Sequence, residues 1–475
     1  MTALTASETK SETRLVSREI TTGEPLGAVE LSTPDRVTSA ARRAGAAAPA
    51  WAATPAEERA AIVERAADLL VERAEQAQEL LVREGGAIPG KAFFEVRQAA
   101  QELRHGARLA RHPGLPHPPA DDPERTAEVT RVPLGVVGVI VPWNFPLLLA
   151  ARSLGPALAL GNTVLLKPDP HTPLSGGRLF VEAFADAGLP PNVLEIVHGD
   201  AEAGSALVQA PDVAMVSFTG STEVGREIGA LCGRLLKRVV LELGGQNAFV
   251  VLDDVDVEQA AAAGAWGSFL HQGQICMSAR RHLVHRSIVE EYTEALARHA
   301  AALRIGDPYR SDAQIGPVID RRQLTTVANA VEQAVAQGAR LVTGGRPQPP
   351  YYPPTVLADV SEQMDVFHTE VFGPVATVTA FADDEAAVRL ANTSDHGLTA
   401  AVYTGDTGRG SMIGRQLRCG VTHIGDQTVV QDAALPFGGI GASGNGSGFG
   451  GRASLEAFTR WRTLTTSTPP RTYPF

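Results

Sequence analysis

The chain has 475 residues with 53 acidic and 42 basic side chains, which gives a formal net charge of −11. This excess of acid is small for the length, and no block of like charges could follow a nucleic acid backbone or an anionic membrane surface. Three scattered cysteines, without CxxC or Cys/His spacing, exclude a disulfide framework and indicate no metal site. We therefore expect a cytoplasmic protein of two or three domains, without nucleic acid or membrane partners.

The basic residues include only four lysines, Lys10, Lys91, Lys167 and Lys237, and the others are arginines. A lysine kept in such a chain suggests a need for a compact ammonium group with three donors. Lys167 ends a predicted strand, where such a group would suit ribose or phosphate oxygens. Retention by chance is the alternative.

The first clear helix is predicted over 55–83. Thr54 and Glu57 have the spacing of a capping box, and Gly85 lies beyond the predicted end. A proline-rich stretch at 112–126 follows, which suggests an exposed connection or an arm that reaches another subunit.

Short β-branched runs then alternate with helical segments. The runs cover 136–141, 163–167, 193–197, 213–218 and 238–243. This alternation predicts a parallel sheet covered by helices, with ligands at the carboxyl ends of the strands. The uncharged stretch at 131–152 contains prolines, so it predicts a buried strand, a break and a helix rather than a membrane span.

A second alternating region begins near Gln246, just after Gly244 and Gly245. Its predicted helices cover 257–268, 288–303 and 321–337, and its predicted strands cover 375–380 and 400–403. It predicts a second α/β domain.

A turn of small residues, Gly220, Ser221, Thr222 and Gly225, lies between a predicted buried strand and a helix. Backbone amides at such a helix N-terminus favour a phosphate. The spacing matches neither GxGxxG nor a P-loop. By itself, the segment therefore fits a simple strand-to-helix turn better than a phosphate site.

Cys276 lies in a loop that contains glycine and glutamine, LHQGQICMSARR, after an Ala-rich helix. A nucleophilic thiolate needs access and an electropositive setting, which this loop offers. A structural cysteine is the commoner case when no other motif is present. Cys232 and Cys419 are interpreted as small buried fillers.

Other candidate residues are equally ambiguous when taken singly. Glu242 is an acid in an apolar strand, where burial would raise its pKa toward that of a general base, or it is an ion-paired glutamate. Asn144, within PWNFP, is an oxyanion donor or a turn residue. Glu370 and Phe372, within EVFGPV, fit a cofactor contact or a turn at a strand entry.

The order of these motifs is more specific than any one of them. Along the chain they are PWNFP, Lys167, FTGSTEVG, LELGG, GQICMS, EVFGPV and PFGGIGASG. With this ordered set, the chain resembles the aldehyde dehydrogenase superfamily over about 41–459.

The resemblance implies an α/β fold of three parts. A Rossmann-type parallel-sheet domain that binds NAD(P) is expected at 1–112 and 134–244, and an α/β catalytic domain at 245–444. An oligomerisation arm and a C-terminal segment are expected at 113–133 and 445–475, in a homodimer or homotetramer.

The resemblance also implies NAD(P)-dependent oxidation of an aldehyde to the carboxylic acid. Cys276 would add to the carbonyl, and Asn144 with the Cys276 amide would hold the oxyanion of the thiohemiacetal. After hydride transfer, Glu242 would activate the water that hydrolyses the thioester. Retention of these residues with Lys167 argues against a catalytically silent structural member.

For the cofactor, the resemblance places Lys167 at the adenosine ribose and Ser221 in the pyrophosphate turn. Pro170 stands where many NAD-selective members have glutamate, and His171 would attract a 2′-phosphate, so we expect NAD with NADP tolerated. The implied cofactor-binding residues are Val141, Pro142, Trp143, Lys167, Phe218, Thr219, Gly220, Ser221, Gly225, Leu243, Gly244, Glu370 and Phe372.

Two segments bear on the identity of the substrate, one at 422–451 and the other KPDPHTPLSGG. Both resemble the benzaldehyde dehydrogenase branch. An aromatic aldehyde is the leading hypothesis, and an aliphatic, terpenoid or semialdehyde substrate is the alternative. The sequence departs from the usual pattern at Gly425, Gly448, Ala248 and His396, and the first two departures predict a wider or looser pocket. A charged semialdehyde would need an arginine in the tunnel.

Overall fold

The structure is a computed structural model that describes residues 10–11, 13–112 and 125–475. The predicted arm at 113–133 therefore lies partly outside the described residues, as does most of the proline-rich stretch.

Helices and strands alternate along most of the described chain. The helices are α1 Pro34–Ala53, α2 Ala56–Glu72, α3 Ala74–Gly85, α4 Pro89–Arg111, α5 Pro146–Ala159, α6 Leu179–Asp186, α7 Ala201–Gln209, α8 Thr222–Arg234, α9 Val257–Phe269, α10 Val289–Ala302, α11 Arg321–Ala336, α12 Asp365–His368, α13 Asp384–Ala391, α14 Thr407–Gly414 and α15 Gly451–Phe458. The strands are β1 Lys10–Ser11, β2 Arg14–Arg18, β3 Pro25–Glu30, β4 Arg125–Pro133, β5 Val136–Ile140, β6 Thr163–Lys167, β7 Leu194–Ile196, β8 Val213–Thr219, β9 Arg238–Glu242, β10 Asn247–Val251, β11 Ala279–His285, β12 Arg340–Thr343, β13 Thr355–Ala358, β14 Val375–Phe381, β15 His396–Gly397, β16 Thr399–Tyr403, β17 Val421–Ile424, β18 Ile440–Gly441 and β19 Thr459–Ser467.

The predicted parallel sheet is present as five strands in the order β7-β6-β5-β8-β9. Its neighbouring strands are all parallel. Helices α2, α4 and α5 pack over one face, and α1 and α7 cover the other. Ile140 pairs with Lys167, and Thr219 pairs with Glu242, so these strands end at one edge of the sheet. Their register brings several of the predicted site residues to that edge.

The second predicted sheet has seven strands in the order β12-β13-β14-β11-β10-β16-β17. Only its β12–β13 edge is antiparallel. Its inner strand β10 begins at Asn247, a few residues after the first sheet ends at Glu242. The glycine pair Gly244–Gly245 lies in this short connection, and the segment therefore places the two sheets close together at the site.

The single helix predicted over 55–83 is wrong, because the chain forms two helices, α2 and α3, that meet at Arg73. The predicted capping box is also absent. Thr54 follows the last residue of α1, and its hydroxyl donates to the Ala50 carbonyl. Pro55 takes the N-cap position of α2 without a side-chain hydrogen bond. The left-handed residue that ends α3 is Gly86, with φ 67°, rather than Gly85.

Strands β4 and β19 form a separate two-stranded antiparallel sheet. Their pairing runs from Arg125 opposite Ser467 to Pro133 opposite Thr459. Residues 468–475, which follow β19, form neither helix nor strand. Among the residues that the structure describes, no helix combines the length and the apolar character needed to cross a membrane.

Candidate active site

Asn144 and the cysteine loop are in direct contact. Asn144 follows β5 and is 4% exposed, and its Nδ2 donates to the Gln274 carbonyl at 2.9 Å. Gln274 lies two residues before Cys276. The predicted oxyanion donor therefore lies against the loop that carries the predicted nucleophile, although 130 residues separate Asn144 from Gln274.

The cysteine loop has an unusual backbone that other parts of the chain hold in place. His271, Gln272 and Gly273 have φ values of 50°, 57° and 64°. Such a conformation costs about 1–3 kcal/mol for each non-glycine residue. Gln272 Nε2 offsets part of this cost by donating to the Pro317 carbonyl at 2.8 Å. Backbone strain of this kind is common where a reactive group must be presented.

Asn247 and Arg280 fix the loop on either side of the cysteine. Asn247 Nδ2 donates to the Cys276 carbonyl at 2.7 Å and to the Ser278 carbonyl at 2.9 Å. Arg280 donates to the Ile275 carbonyl at 2.9 Å. Neither residue was predicted, and their sequence context gives no sign of this role.

The thiol of Cys276 is not in the electropositive setting that the sequence predicted. Burial raises its pKa to about 12, and the carboxylates of Glu370 and Glu242 act in the same direction. Arg152 and Arg280 oppose this shift without reversing it. The charges around the sulfur nearly offset one another, so the thiol is protonated at neutral pH.

Glu242 ends β9 and is 3% exposed. Burial raises the pKa of its carboxyl well above the usual value, while Arg152 and the Gly439 amide oppose the shift. By the geometric criteria for a hydrogen bond, neither carboxylate oxygen has a partner among the described residues. The predicted rise in pKa is confirmed in direction, and it suits a group that must accept a proton.

Arg152 was also missed, although it has a recognisable sequence signal. It is the only charged residue in the apolar helix α5, PLLLAARSLGPALA. Its guanidinium is buried, lies 3.4 Å from Glu102 and donates to Gln431. It also lies over the Phe437 ring, 4.9 Å from the centroid. Its charge lowers the pKa of both Cys276 and Glu242.

The predicted pyrophosphate turn is the N-terminus of α8. Ser221 is its N-cap and accepts from the Val224 amide, and the Gly220 amide donates to the Glu242 carbonyl at 3.0 Å. A side chain on Gly225 would overlap with Leu243, so this glycine allows α8 to pack closely on the end of β9. The turn is thus tied to the strand that carries the predicted general base.

Three of the predicted cofactor-binding residues, Trp143, Glu370 and Phe372, form one wall near the thiol. The rings of Trp143 and Phe372 meet edge to face, with their centroids 5.5 Å apart. Glu370 accepts from the Gly245 amide at 3.2 Å and lies 3.5 Å from Arg280. Val141, Pro142, Phe218, Thr219 and Gly244 belong to the strand ends and turns around this wall.

Lys167 ends β6 with its ammonium group largely buried. Burial lowers its pKa, although Asp169 and Asp200 act against that shift. Its Nζ donates to the Pro168 carbonyl at 3.5 Å, which is a weak contact. The position and chemistry fit the binding of a ribose hydroxyl.

His171 does not provide the free cation expected for a 2′-phosphate. Its Nδ1 lies 2.7 Å from Asp169, and its Nε2 lies 3.3 Å from Asp320. Burial lowers its pKa, but the two carboxylates outweigh burial and raise it to about 10. The imidazolium is therefore already balanced by two acids.

An apolar cluster includes both sequence neighbours of the cysteine, Ile275 and Met277. Phe145, Leu148, Leu149 and Ile275 form its buried part, and Leu270, Met277 and Val429 pack against them. Thr428 joins this cluster to the C-terminal loop by donating to the Met277 carbonyl at 2.6 Å. Residues of α4 and of this C-terminal loop, among them Gln98, Gln101, Arg104 and Gln431, line a polar pocket of about 520 Å³.

Two of the departures from the branch pattern, Gly425 and Gly448, differ in the space around them. Gly425 has φ 72°, and a side chain there would meet no atom within 4 Å, whereas a side chain on Gly448 would overlap with the Phe437 carbonyl. Gly448 is therefore a packing requirement of this chain. Within the part of the chain that the structure describes, no group of three or more His, Cys, Asp or Glu residues could hold a metal ion.

The fold and this site define a class of nucleotide-dependent enzymes in which a partly exposed cysteine lies near a buried carboxyl group. The sequence profile of the aldehyde dehydrogenase family matches residues 6–464. The chain belongs to the aldehyde dehydrogenase family, and it is an NAD(P)-dependent oxidoreductase that acts on aldehydes. The predicted fold class and family are confirmed.

Three relatives illustrate the similarity. The chain is 46% identical over 453 residues to the benzaldehyde dehydrogenase (NAD+) of Pseudomonas putida, covering 95% of this chain and 93% of that protein. It is 46% identical over 458 residues to a vanillin dehydrogenase of Amycolatopsis sp., covering 96% and 94%. The crystal structure of a salicylaldehyde dehydrogenase from Pseudomonas putida G7, complexed with salicylaldehyde, superposes with a TM-score of 0.94 at 32% identity, covering 97% and 96%.

Proposed function

We propose that this protein oxidises an aromatic aldehyde to its carboxylic acid, with NAD as the preferred acceptor. The observation that carries the proposal is the apolar cluster of Phe145, Leu148 and Ile275, the last of which directly precedes Cys276. An apolar ring buried there is stabilised by about 25 cal/mol for each Å² removed from water. The relatives that act on benzaldehyde and vanillin support the same substrate class.

The acylation step depends on Cys276 and Asn144. The thiol adds to the carbonyl carbon, and its proton leaves for a base. Asn144 Nδ2 uses one hydrogen for Gln274, which leaves the second hydrogen for the oxyanion, together with the Cys276 amide. When bound, NAD supplies the hydride acceptor. The collapse of the alkoxide then leaves a thioester on Cys276.

Deacylation depends on Glu242. Its raised pKa makes the ionised carboxylate a stronger base than a solvated glutamate, and it takes a proton from the attacking water. The carboxylic acid and a free thiol are the products.

The cofactor cleft fits NAD better than NADP. Lys167 is placed for a ribose hydroxyl, whereas the nearby His171 is already paired with Asp169 and Asp320. A 2′-phosphate would therefore meet two carboxylates as well as one cation. We propose that NADP is accepted only weakly.

The buried arginine also bears on the alternative of a charged semialdehyde. Arg152 is the arginine near Cys276 and Glu242 that such a substrate would need, but its charge is already balanced by Glu102. An anionic substrate would have to displace a buried ion pair. This cost favours a neutral aldehyde.

We also propose the domain and subunit organisation that the resemblance implied. The NAD(P)-binding domain comprises 1–112 and 134–244, the catalytic domain comprises 245–444, and β4 with β19 serves subunit contacts in a homodimer or homotetramer. Exposed Trp461 and Leu464 on β19 support an interface there. Light scattering of the purified protein tests it, and a monomeric mass at micromolar concentration would refute it.

The test of the activity is a panel of benzaldehyde, substituted benzaldehydes, straight-chain aldehydes and semialdehydes, each with NAD and NADP. Reduction of the cofactor is followed by absorbance. We expect benzaldehydes with NAD to give the highest kcat/KM. Cys276→Ala should abolish oxidation while cofactor affinity is kept. Oxidation at the wild-type rate by that variant would refute the proposed mechanism, and a preference for straight-chain aldehydes would refute the substrate class.

A further inference from the structure

Lys91 and Glu95 form an ion pair inside the protein, one turn apart on α4. Lys91 is 4% exposed and Glu95 is 0% exposed. The Lys91 ammonium donates to Glu95 and lies 4.1 Å from the centroid of the Phe145 ring. A buried ion pair must overcome the loss of hydration of both groups, and it seldom adds net stability. Its presence therefore calls for a role other than stability.

Both members of the pair hold the segment that carries Asn144. Lys91 Nζ donates to the Asn144 carbonyl at 2.7 Å. Glu95 Oε1 accepts from the amides of Leu147 at 2.9 Å and Leu148 at 3.2 Å. These amides belong to the first turn of α5, whose own N-cap residue makes no side-chain hydrogen bond. The carboxylate caps α5 from another helix, where the helix dipole favours negative charge.

We propose that the Lys91–Glu95 pair positions the side-chain amide of Asn144 for the oxyanion. The inference rests on the proposed function, since Asn144 serves there as the oxyanion donor. The pair fixes the main chain of Asn144 on one side, and the Gln274 carbonyl fixes its Nδ2 on the other at 2.9 Å. Lys91 and Glu95 are thus positioning residues that act through Asn144.

The place suits a lysine rather than the arginine that this chain uses elsewhere. One ammonium group reaches the Asn144 carbonyl, the Glu95 carboxylate and the Phe145 ring together. The ring of the wholly buried His271 meets the Phe145 ring edge to face, with centroids 5.6 Å apart. A planar guanidinium needs more room and a different donor geometry.

The test uses the double variant Lys91→Met/Glu95→Gln, which removes both charges and leaves neither buried alone. The probe is benzaldehyde with NAD, and the measured quantity is the rate of the first turnover of cofactor reduction. We expect this rate to fall by about 10–100-fold, because a displaced catalytic group loses rate of this order. Cofactor affinity and the rate at which iodoacetamide alkylates Cys276 should stay within about twofold, because neither needs an oxyanion donor.

A comparison with Asn144→Ala shows whether the pair acts through Asn144. That variant should lose about 10²–10³-fold, as expected for one oxyanion donor. The triple variant should match Asn144→Ala alone, because the pair would have nothing left to position. If the loss in the triple variant is instead the product of the losses in the double variant and in Asn144→Ala, the inference is overturned. A wild-type first turnover in the double variant would also overturn it. Equal slowing of alkylation would also overturn it, because it would indicate general disruption.

Lys237→Met is the matched control. Lys237 also donates to main-chain carbonyls, those of Val208 at 2.7 Å and Ala210 at 2.6 Å. Val208 lies at the end of α7, and Ala210 lies on the loop that follows it. We expect a wild-type first turnover, and slowing as large as in the double variant would count against the inference. If the double variant does not fold, Lys91→Arg keeps the charge but changes the donor geometry, and a wild-type rate in it would refute the inference. Failure of the proposed function is distinct, since the wild type itself would then not oxidise benzaldehyde.

Discussion

Replacement of Glu242 with glutamine should separate the two halves of the reaction. Glutamine keeps the shape of the side chain but cannot accept the proton of the attacking water. Glu242 is 3% exposed, and burial raises the pKa of its carboxyl, so the variant loses a base stronger than a solvated glutamate. A positioned base contributes about 10²–10⁴-fold in rate, which is about 2.7–5.5 kcal/mol at about 1.36 kcal/mol for each factor of ten. We expect thioester hydrolysis to slow by such a factor.

The assay is rapid mixing of the Glu242→Gln enzyme with NAD and benzaldehyde. We expect a burst of one reduced cofactor for each active site, followed by a slow steady state. In the wild type, Glu242 is protonated below its raised pKa, so hydrolysis should fall as the pH drops through a value above 4.5. This acid limb should be absent from the variant. A steady state within about twofold of wild type, or a loss of the burst itself, would refute the assignment of Glu242 to deacylation.

Two further predictions concern Gly225 in the turn at α8 and His171, which is paired with Asp169 and Asp320. Gly225→Ala places a methyl group against Leu243, so we expect a loss of about 1–3 kcal/mol in the free energy of unfolding and weaker NAD binding. Gly233→Ala, in the same helix with open space around it, should instead stabilise the protein by about 0.5–1 kcal/mol. Equal melting temperatures for these two variants would contradict the reasoning. His171→Gln should lower stability by about 1 kcal/mol at pH 6, a value reduced for partial exposure. Because the folded pKa is raised from 6.5 to about 10, the stabilisation is complete below 6.5 and lost as pH rises through 10. Thermal melts of the wild type and of His171→Gln at pH 6 and above pH 10 test this. A difference in stability between the two proteins that is larger at the higher pH would contradict it.

The fold could be predicted well where local pattern decides the structure. The β-branched runs of the five-stranded sheet were placed within a residue or two, because a strand buried on both faces must be apolar throughout. The helix predicted over 55–83 failed for a tertiary reason. Its sequence is helical on both sides of Arg73, and the break there brings α2 and α3 separately against α4.

The site was predictable only in part. Cys276, Glu242 and Asn144 lie in motifs that are recognisable in order along the chain. The residues that hold these groups in place, such as Asn247 and Lys91, lie in no recognisable motif, because they act across a long separation in sequence. Asn247 reaches Cys276 over 29 residues, and Lys91 reaches Asn144 over 53. Hydrogen bonds to main-chain carbonyls of this kind place no requirement on the residue type of the partner, so no sequence motif records them.

The balance of charge around Cys276 bears on how readily its thiol loses a proton. Arg280 lies 3.5 Å from Glu370, and Arg152 lies 3.4 Å from Glu102. Each arginine near the thiol is thus offset by a carboxylate, and burial holds the pKa of Cys276 at about 12. A thiolate is therefore not maintained by the surrounding field, and attack on the aldehyde must be coupled to proton transfer. Burial raises the pKa of Glu242 as well, which suits the later step, in which this group takes a proton from the water that attacks the thioester.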